Sequence, residues 1–408
     1  MAFILSNLLS TLDSSIGLLD SSSDLLEVLQ ALNVTNSTKG YGKSQKRTYD
    51  TVASLPTATS AMRGFFATVE TVGEMPWEAS GNADNGLYVC NGSDWTLIQG
   101  LDSAGTPPLP FQGSTSGYTS GGFPSFNIID KFPFATDANA TDVGDLTTSR
   151  NSVGQSSENH GYCSGAGNII DKFSFATDAN ATDVGDLLAA IDIIGAGQSS
   201  NGWGFGYHSG GRTSPGTSQN VIEKFAFATD ANATDVSDLT AARHISTGQS
   251  SYDNGYVSAG AEGSPAILSN VIDKFPFATD ANATDVGNLT VAREGPSGQS
   301  SSTHGYTCGG HQRYTRYSPD GIISTDTIDK FPFAADGNAT SVGVLSGTRA
   351  TYSAGTSSTA NGYATAGATD QFGYVINPVD KFSFSYDANA TDVLNLTATR
   401  TFAAGQQI

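Results

Sequence analysis

Five histidines, three cysteines and a repeated set of carboxylates are the residues of this 408-residue chain that could do chemistry. The histidines are His160, His208, His244, His304 and His311; the thiols are Cys90, Cys163 and Cys308. Three widely spaced thiols make neither a disulfide framework nor a cysteine-rich zinc site. Cys163 and Cys308 sit in equivalent strands beside a Gly-Tyr pair, and they read as small buried residues. His160 and His304 both stand just before Gly-Tyr, so repetition accounts for them better than ligation does. No HExxH, phosphate-binding loop or nucleophile elbow occurs. The sequence therefore predicts no catalytic residues, no metal and no cofactor.

Two features keep a chemical reading open. The turn Asp137-Ala-Asn139-Ala-Thr-Asp142 spaces three oxygen donors that could ligate Ca²⁺. It recurs at Asp178/Asn180/Asp183, Asp230/Asn232/Asp235, Asp280/Asn282/Asp285 and Asp387/Asn389/Asp392; near Asp336 and Asn338, Ser341 replaces the last acid. The competing reading is an Asx turn that only reverses the chain. The second feature is the loop 311–320, with His311, Arg313, Tyr314, Arg316 and Tyr317. It is the one basic, aromatic-rich stretch in an acidic region. Loops on a rigid scaffold carry binding residues, and Tyr and Arg planes can stack on sugar rings. The same loop could instead touch a neighbouring subunit.

These residues are positioned by a repeat. Lys-Phe-x-Phe occurs with its first Phe at Phe132, Phe173, Phe225, Phe275, Phe331 and Phe382. A Gly-Tyr pair precedes each copy, at Tyr118, Tyr162, Tyr207, Tyr256, Tyr306 and Tyr363. Asp-x-Asn-Ala-Thr and Val-x-x-Leu follow, then an Arg in five copies (Arg150, Arg243, Arg293, Arg349, Arg400), with Ile191 in its place in the second. Each cassette reads as four short strands. In the first, Ile128, Asp130, Phe132 and Phe134 are expected on one face. Adjacent strand residues point to opposite faces, so Lys131 cannot pair with its neighbour Asp130; the acid should bond backbone or the neighbouring Arg-led strand. Six such units predict an all-β, six-bladed β-propeller over 111–408. The segment RTFAAGQQI is expected to supply the first blade's missing strand and close the ring, removing free sheet edges.

The order Arg, Gly-Tyr-x-x-Gly-Gly, aromatic, x-x-Leu resembles the kelch repeat, with doublets at Gly121-Gly122, Gly210-Gly211 and Gly309-Gly310. The kelch pattern's Trp before its Leu is Val in all six copies. A kelch-type copper oxidase would need converging His and Tyr ligands with a Cys near the metal, and this chain offers no such set. A kelch-like carbohydrate-active enzyme is the remote alternative.

Ahead of the repeats, residues 1–33 place Leu5, Leu9, Leu12, Ile16 and Leu19 at coiled-coil spacing. A second helix is expected from Asp24, with Glu27 as its capping-box partner. The pair either packs on its own chain or docks and oligomerises. Residues 34–47 read as a polar linker, and 48–100 as a small β module. There LYVC-NGSD-WTLI makes a hairpin, with Leu87, Val89, Trp95 and Leu97 expected on one face. This module resembles one found in bacteriophage tail-fibre and virion proteins, and the Gly-rich repeats look like those of marine and cyanobacterial phages. The resemblance implies a non-enzymatic virion exterior protein: a tail fibre or receptor-binding protein, or alternatively a capsid head fibre or decoration protein. It implies partners among other virion proteins through residues 1–100, contact with host-surface polysaccharide, and a homotrimer.

Charge narrows the partners further. Acids outnumber bases 39 to 19, giving −20, which argues against nucleic acid, whose binding needs a basic footprint. No segment is long and apolar enough to cross a bilayer, so no membrane insertion is expected. The N-terminal run lacks a basic start and a cleavage site, and Asp13 interrupts it, so no export signal is expected.

Overall fold

The computed structural model describes residues 112–408 apart from 201, 264, 314–322, 348 and 370–373, and only four strands before them. The expected helices of 1–33 and the linker 34–47 lie outside the described residues. The chain divides into two compact units, Met1–Pro108 and Leu109–Ile408.

In the first unit, Thr48–Tyr49, Phe66–Val69, Gly86–Cys90 and Trp95–Gly100 form one sheet in chain order, the first pair parallel and the others antiparallel. The hairpin is present, but its register does not put Leu87 and Val89 level with Trp95 and Leu97 as expected: Tyr88 stands opposite Leu97, Val89 opposite Thr96 and Cys90 opposite Trp95, with a register shift between Leu87 and Tyr88.

The second unit is all-β, built of four-stranded antiparallel sheets, one per cassette. The first joins Ala404–Gln407, Ser116–Ser120, Ile128–Pro133 and Thr141–Asp145, in that spatial order. Its innermost strand thus comes from the far end of the chain, with Ala404 opposite Ser120 and Gln406 opposite Tyr118. The other innermost strands are Val153–Ser156, Ala196–Ser200, Thr247–Ser250, Ser297–Ser300 and Ala354–Ser357. Two of these sheets carry extra strands. Thr182–Ile193 runs on to pair with Arg212–Thr213, itself paired with Thr217–Ser218, and Arg349–Thr351 adds to the last sheet. A three-stranded sheet (Arg243–His244, Ala261–Glu262, Ile267–Leu268) and a two-stranded one (His311–Arg313, Ile323–Ser324) stand apart from them.

Aromatic rings join each sheet to the next. Tyr118 lies 4.9 Å from Phe175 and 5.6 Å from Phe173, and the same arrangement repeats through the cassettes. It returns to the start, with Tyr363 stacked 5.0 Å from Phe134. The glycine before each Tyr is explained by the Phe opposite it: a Cβ at Gly161 would lie 2.3 Å from Phe173 Cζ. Unbroken pairing of Ile128–Pro133 with Ser116–Ser120 puts Ile129 with Tyr118, Leu146 and Phe173 and Phe132 and Phe134 against Tyr363 on the other face, as the alternation predicts. The register shift opposite Ile129 and Asp130 falls in the facing strand, where Gly144 and Asp142 are their partners and Val143 is the extra residue.

The acid before each Lys bonds the preceding Arg-led segment, as the sequence suggested. Asp171 accepts from Thr147 N–H and Oγ1–H at 2.9 and 2.7 Å and pairs with Arg150 at 2.8 Å. Asp273 does the same with Thr240 and Arg243, and Asp329 with Thr290 and Arg293. Asp130 does so with Thr397 and Arg400, which follow it by more than 260 residues. Cassette two is the exception, and its changes are correlated. Leu188 stands where the others have Thr or Ser and Ile191 where they have Arg, and the facing acid is Glu223, whose bond is to Leu188 N–H at 2.8 Å.

Burial without a guanidinium pushes the Glu223 carboxyl above its ordinary value. A raised carboxyl pKa stabilises the fold below the unfolded value, and that contribution is lost as pH rises through the folded one. Glu223→Gln should therefore flatten the fall in melting temperature as pH rises above the ordinary glutamate value, relative to the native chain. Parallel falls in the two proteins would show that Glu223 carries no such linkage.

Candidate functional site

The glycine-bearing strands named above lie against one another in series. Their glycines are Gly154, Gly197, Gly248, Gly298, Gly355 and Gly405, and each Cα faces the carbonyl of the glycine before it. A Cβ at Gly248 would lie 2.0 Å from Gly197 O, one at Gly197 2.4 Å from Gly154 O, and one at Gly154 2.0 Å from Gly405 O. Only the missing side chain lets the strands approach this closely. Next to the glycines, main-chain amides bond hydroxyls of the following strand. Ser156 N–H donates to Ser199, Ser199 to Ser250, Ser250 to Ser300, and Ser300 to Ser357, at 2.8–3.1 Å. Ser357 N–H donates to Gln407 Oε1 and Gln407 N–H to Ser156 Oγ, so the series returns to its first residue. A Gln follows five of the six glycines and reaches toward the next sheet; Thr356 follows the sixth. Gln155 donates to Tyr207 O and Gln406 to Tyr162 O, both at 3.0 Å.

This glycine collar is shared by two axial chambers. The lower, about 60 Å³, is lined by Gln and Ser side chains of the innermost strands. The upper, about 80 Å³, lies where these strands begin and is lined by Val153, Ile194, Ile245, Pro296, Tyr352 and Phe402, with no charged side chain. The position three residues before each collar glycine is Asn151, Ile194, Ile245, Gly295, Tyr352 or Phe402. Ile245, Tyr352 and Phe402 hold φ of 54, 59 and 54°, close to the 68° of Gly295. For residues with a Cβ this left-handed region costs about 1 kcal/mol or more each, and such strain concentrates at ligand clamps. Main-chain bonds hold it: Ile245 N–H to Ile194 O, Gly295 to Ile245, Tyr352 to Gly295, Phe402 to Tyr352. The Tyr352 and Phe402 rings stack with centroids 3.8 Å apart.

Strand direction decides what surrounds the upper chamber. The second strand of each sheet runs back to this end, so the Gly-Gly doublets and the variable connections after them rise around it. Phe123, Ile267 and Tyr374, each more than half exposed, belong to these connections. The loop carrying Tyr314, Arg316 and Tyr317 starts at this end too, but those residues lie outside the described ones; Arg313 ends the strand His311–Arg313. His311 is buried, beneath the surface. Its Nε2 lies 2.9 Å from Tyr352 Oη and 3.1 Å from Glu294 Oε1. Burial pushes Glu294 up to about 7 and His311 down to about 4. Between those values the proton sits on the carboxyl and the imidazole is neutral.

The Asp-x-Asn turns lie at the opposite end and clip one sheet to the next. Asp178 meets Lys131 at 3.0 Å, Asn180 Oδ1 accepts from Asp145 N–H, and Ala181 N–H donates to Asp145 O. The pattern repeats through to Lys381 with Asp137 and Asn395 N–H with Asn139. Each first carboxylate therefore has a lysine as its cation, and Asp142 accepts from its own Gly144 N–H. Exposed pairs of this kind contribute about 0–1 kcal/mol each, so the buried bonds beside them matter more. No cluster of metal-ligating side chains occurs among the described residues. Cys163 and Cys308 are buried, their thiols raised by burial, and they bond Gln406 and Gln299. His208 is buried beside Ser164 and pushed down to about 4, and His244 bonds Ser218.

Sequence reasoning missed the axial lip. The signal available was the odd glycine: aligned on the collar, one cassette of the six has Gly at a position where the others carry larger residues. No protein-family model and no curated protein matches the chain.

Proposed function

We propose that residues 111–408 form a closed, kelch-like six-bladed propeller, and that the chain is a non-enzymatic protein of a bacteriophage virion. In this reading a tail fibre or receptor-binding protein holds the propeller outward, anchored by residues 1–100 to other virion proteins, as a homotrimer contacting host-surface polysaccharide. The observation that carries it is the recurrence of the inter-sheet contacts, including those from the last cassette to the first. Tyr363 on Phe134, Lys381 with Asp137, and Arg400 with Asp130 repeat what adjacent cassettes do. Such a body is rigid at its axis and variable only in the loops at one end, which suits display. The resemblance of the 48–100 module and of the Gly-rich repeats to phage proteins supplies the virion setting.

Two measurements on the full chain and its particle test this. Immunogold labelling of intact particles with antibody to the chain should mark the tail. Capsid labelling would turn the reading to a head fibre or decoration protein, and unlabelled particles would refute a virion role. On an array of bacterial surface polysaccharides the native chain should bind, and substituting Arg313, Tyr314, Arg316 and Tyr317 together by Ala should weaken that binding.

A further inference from the structure

We infer that the upper axial chamber is a binding site for one uncharged sugar ring, with the stacked Tyr352–Phe402 pair as its aromatic wall. The inference deepens the host-polysaccharide reading and rests on it for the choice of ligand. Three observations carry it. First, the chamber is a hollow rather than packed core, with room for roughly five to eight waters at about 10–15 Å³ each. Second, its lining holds no charge: Ile194, Ile245 and Pro296 are apolar, the wall is aromatic, and the floor is main chain of the collar. A neutral ring with one apolar face and hydroxyls at its edge matches that lining, whereas an anionic sugar would have no cation to meet.

Third, the site is asymmetric where the rest of the unit repeats. Gly295 shows that a strain-free residue serves at the lip position, yet Ile245, Tyr352 and Phe402 keep side chains there at φ near 55°. Gly295 itself makes room for the wall, because a Cβ there would lie 2.9 Å from Tyr352 Cδ1. His311 anchors the same ring through Tyr352 Oη. The wall is therefore fixed from two sides, and a rigid aromatic plane costs little entropy on binding.

The test uses the full chain and saturation-transfer NMR with glucose, galactose and N-acetylglucosamine as probes. Transfer to at least one probe is expected. Phe402→Gly should remove it, with apparent affinity falling about tenfold for the lost stacking. Glycine at this φ is unstrained, so the variant should stay folded, and a thermal melt verifies that. Tyr352→Phe keeps the ring and should keep the transfer. Substitution of the exposed Tyr386, beside the turn at the opposite end, by Ser should leave monosaccharide transfer unchanged. Transfer that survives in Phe402→Gly, or that is lost with Tyr386 instead, overturns the axial site. No transfer to the native chain overturns it too. Labelled particles report on the virion role separately, so a failure there is distinguishable from a failure of the chamber.

Discussion

Gly248→Ala should lower the stability of the chain by about 3 kcal/mol or more, a larger penalty than ordinary overpacking brings. Adding one methylene to a core that can shift costs about 1–3 kcal/mol. Here the obstacle is main chain: the new Cβ would meet Gly197 O at 2.0 Å and Gly197 C at 2.8 Å. That carbonyl cannot retreat alone, because the Cα of Gly197 is pressed in turn against Gly154 O. Relief requires the innermost strands to move apart together, stretching the serine bonds beside the collar. Gly337→Ala is the control, since no atom lies within 4 Å of its added Cβ. It should be neutral or slightly stabilising, by about 0.4–1 kcal/mol through the unfolded state. Urea midpoints of the two variants compare them directly. A Gly248→Ala midpoint equal to that of the control would mean that the collar widens freely.

Arg293→Met should cost about 3–5 kcal/mol, because it leaves the Asp329 charge buried without a partner. Both side chains are fully buried and 3.0 Å apart. Asp329 would keep its two bonds from Thr290, at 2.9 and 2.8 Å, and these soften the loss without neutralising the charge. Replacing the acid as well, in Arg293→Met with Asp329→Asn, should recover much of the difference, since no charge then remains in the interface. Denaturant unfolding of the two single variants and the double variant gives the coupling. If the double variant is as unstable as the sum of the singles, the pair is not coupled as its geometry implies. Cassette two shows a natural version of this exchange, with Ile191, Leu188 and Glu223 changed together.

The repeat made much of this second unit legible. Gly-Tyr, Lys-Phe-x-Phe and Val-x-x-Leu are contact residues, and each recurs because its partner recurs in the adjoining sheet. The pairing of Ala404–Gln407 with Ser116–Ser120 was readable because the Arg-led strand occurs once more at the end of the array. What the sequence hid was local or directional. The bulge at Val143 lies beside Gly144, but glycine is too frequent in this chain to mark it. The Asp-x-Asn turns looked like oxygen ligands because their lysine partners lie about fifty residues earlier, on another sheet. The lip of the upper chamber was invisible because left-handed Ile, Tyr and Phe carry no sequence signature. His311 stood in a basic loop, and only its depth beneath Tyr352 and Glu294 separated it from the exposed residues that follow.

Gln407 has a consequence for biosynthesis. It accepts from Ser357 and donates to Ser156, 251 positions upstream. The earliest cassettes must therefore wait, with one sheet short of a strand, until residues 404–407 have been translated. Co-translational assembly can order the middle of the array, but the first sheet cannot be completed before that strand arrives, and a product lacking it would carry an open, association-prone margin.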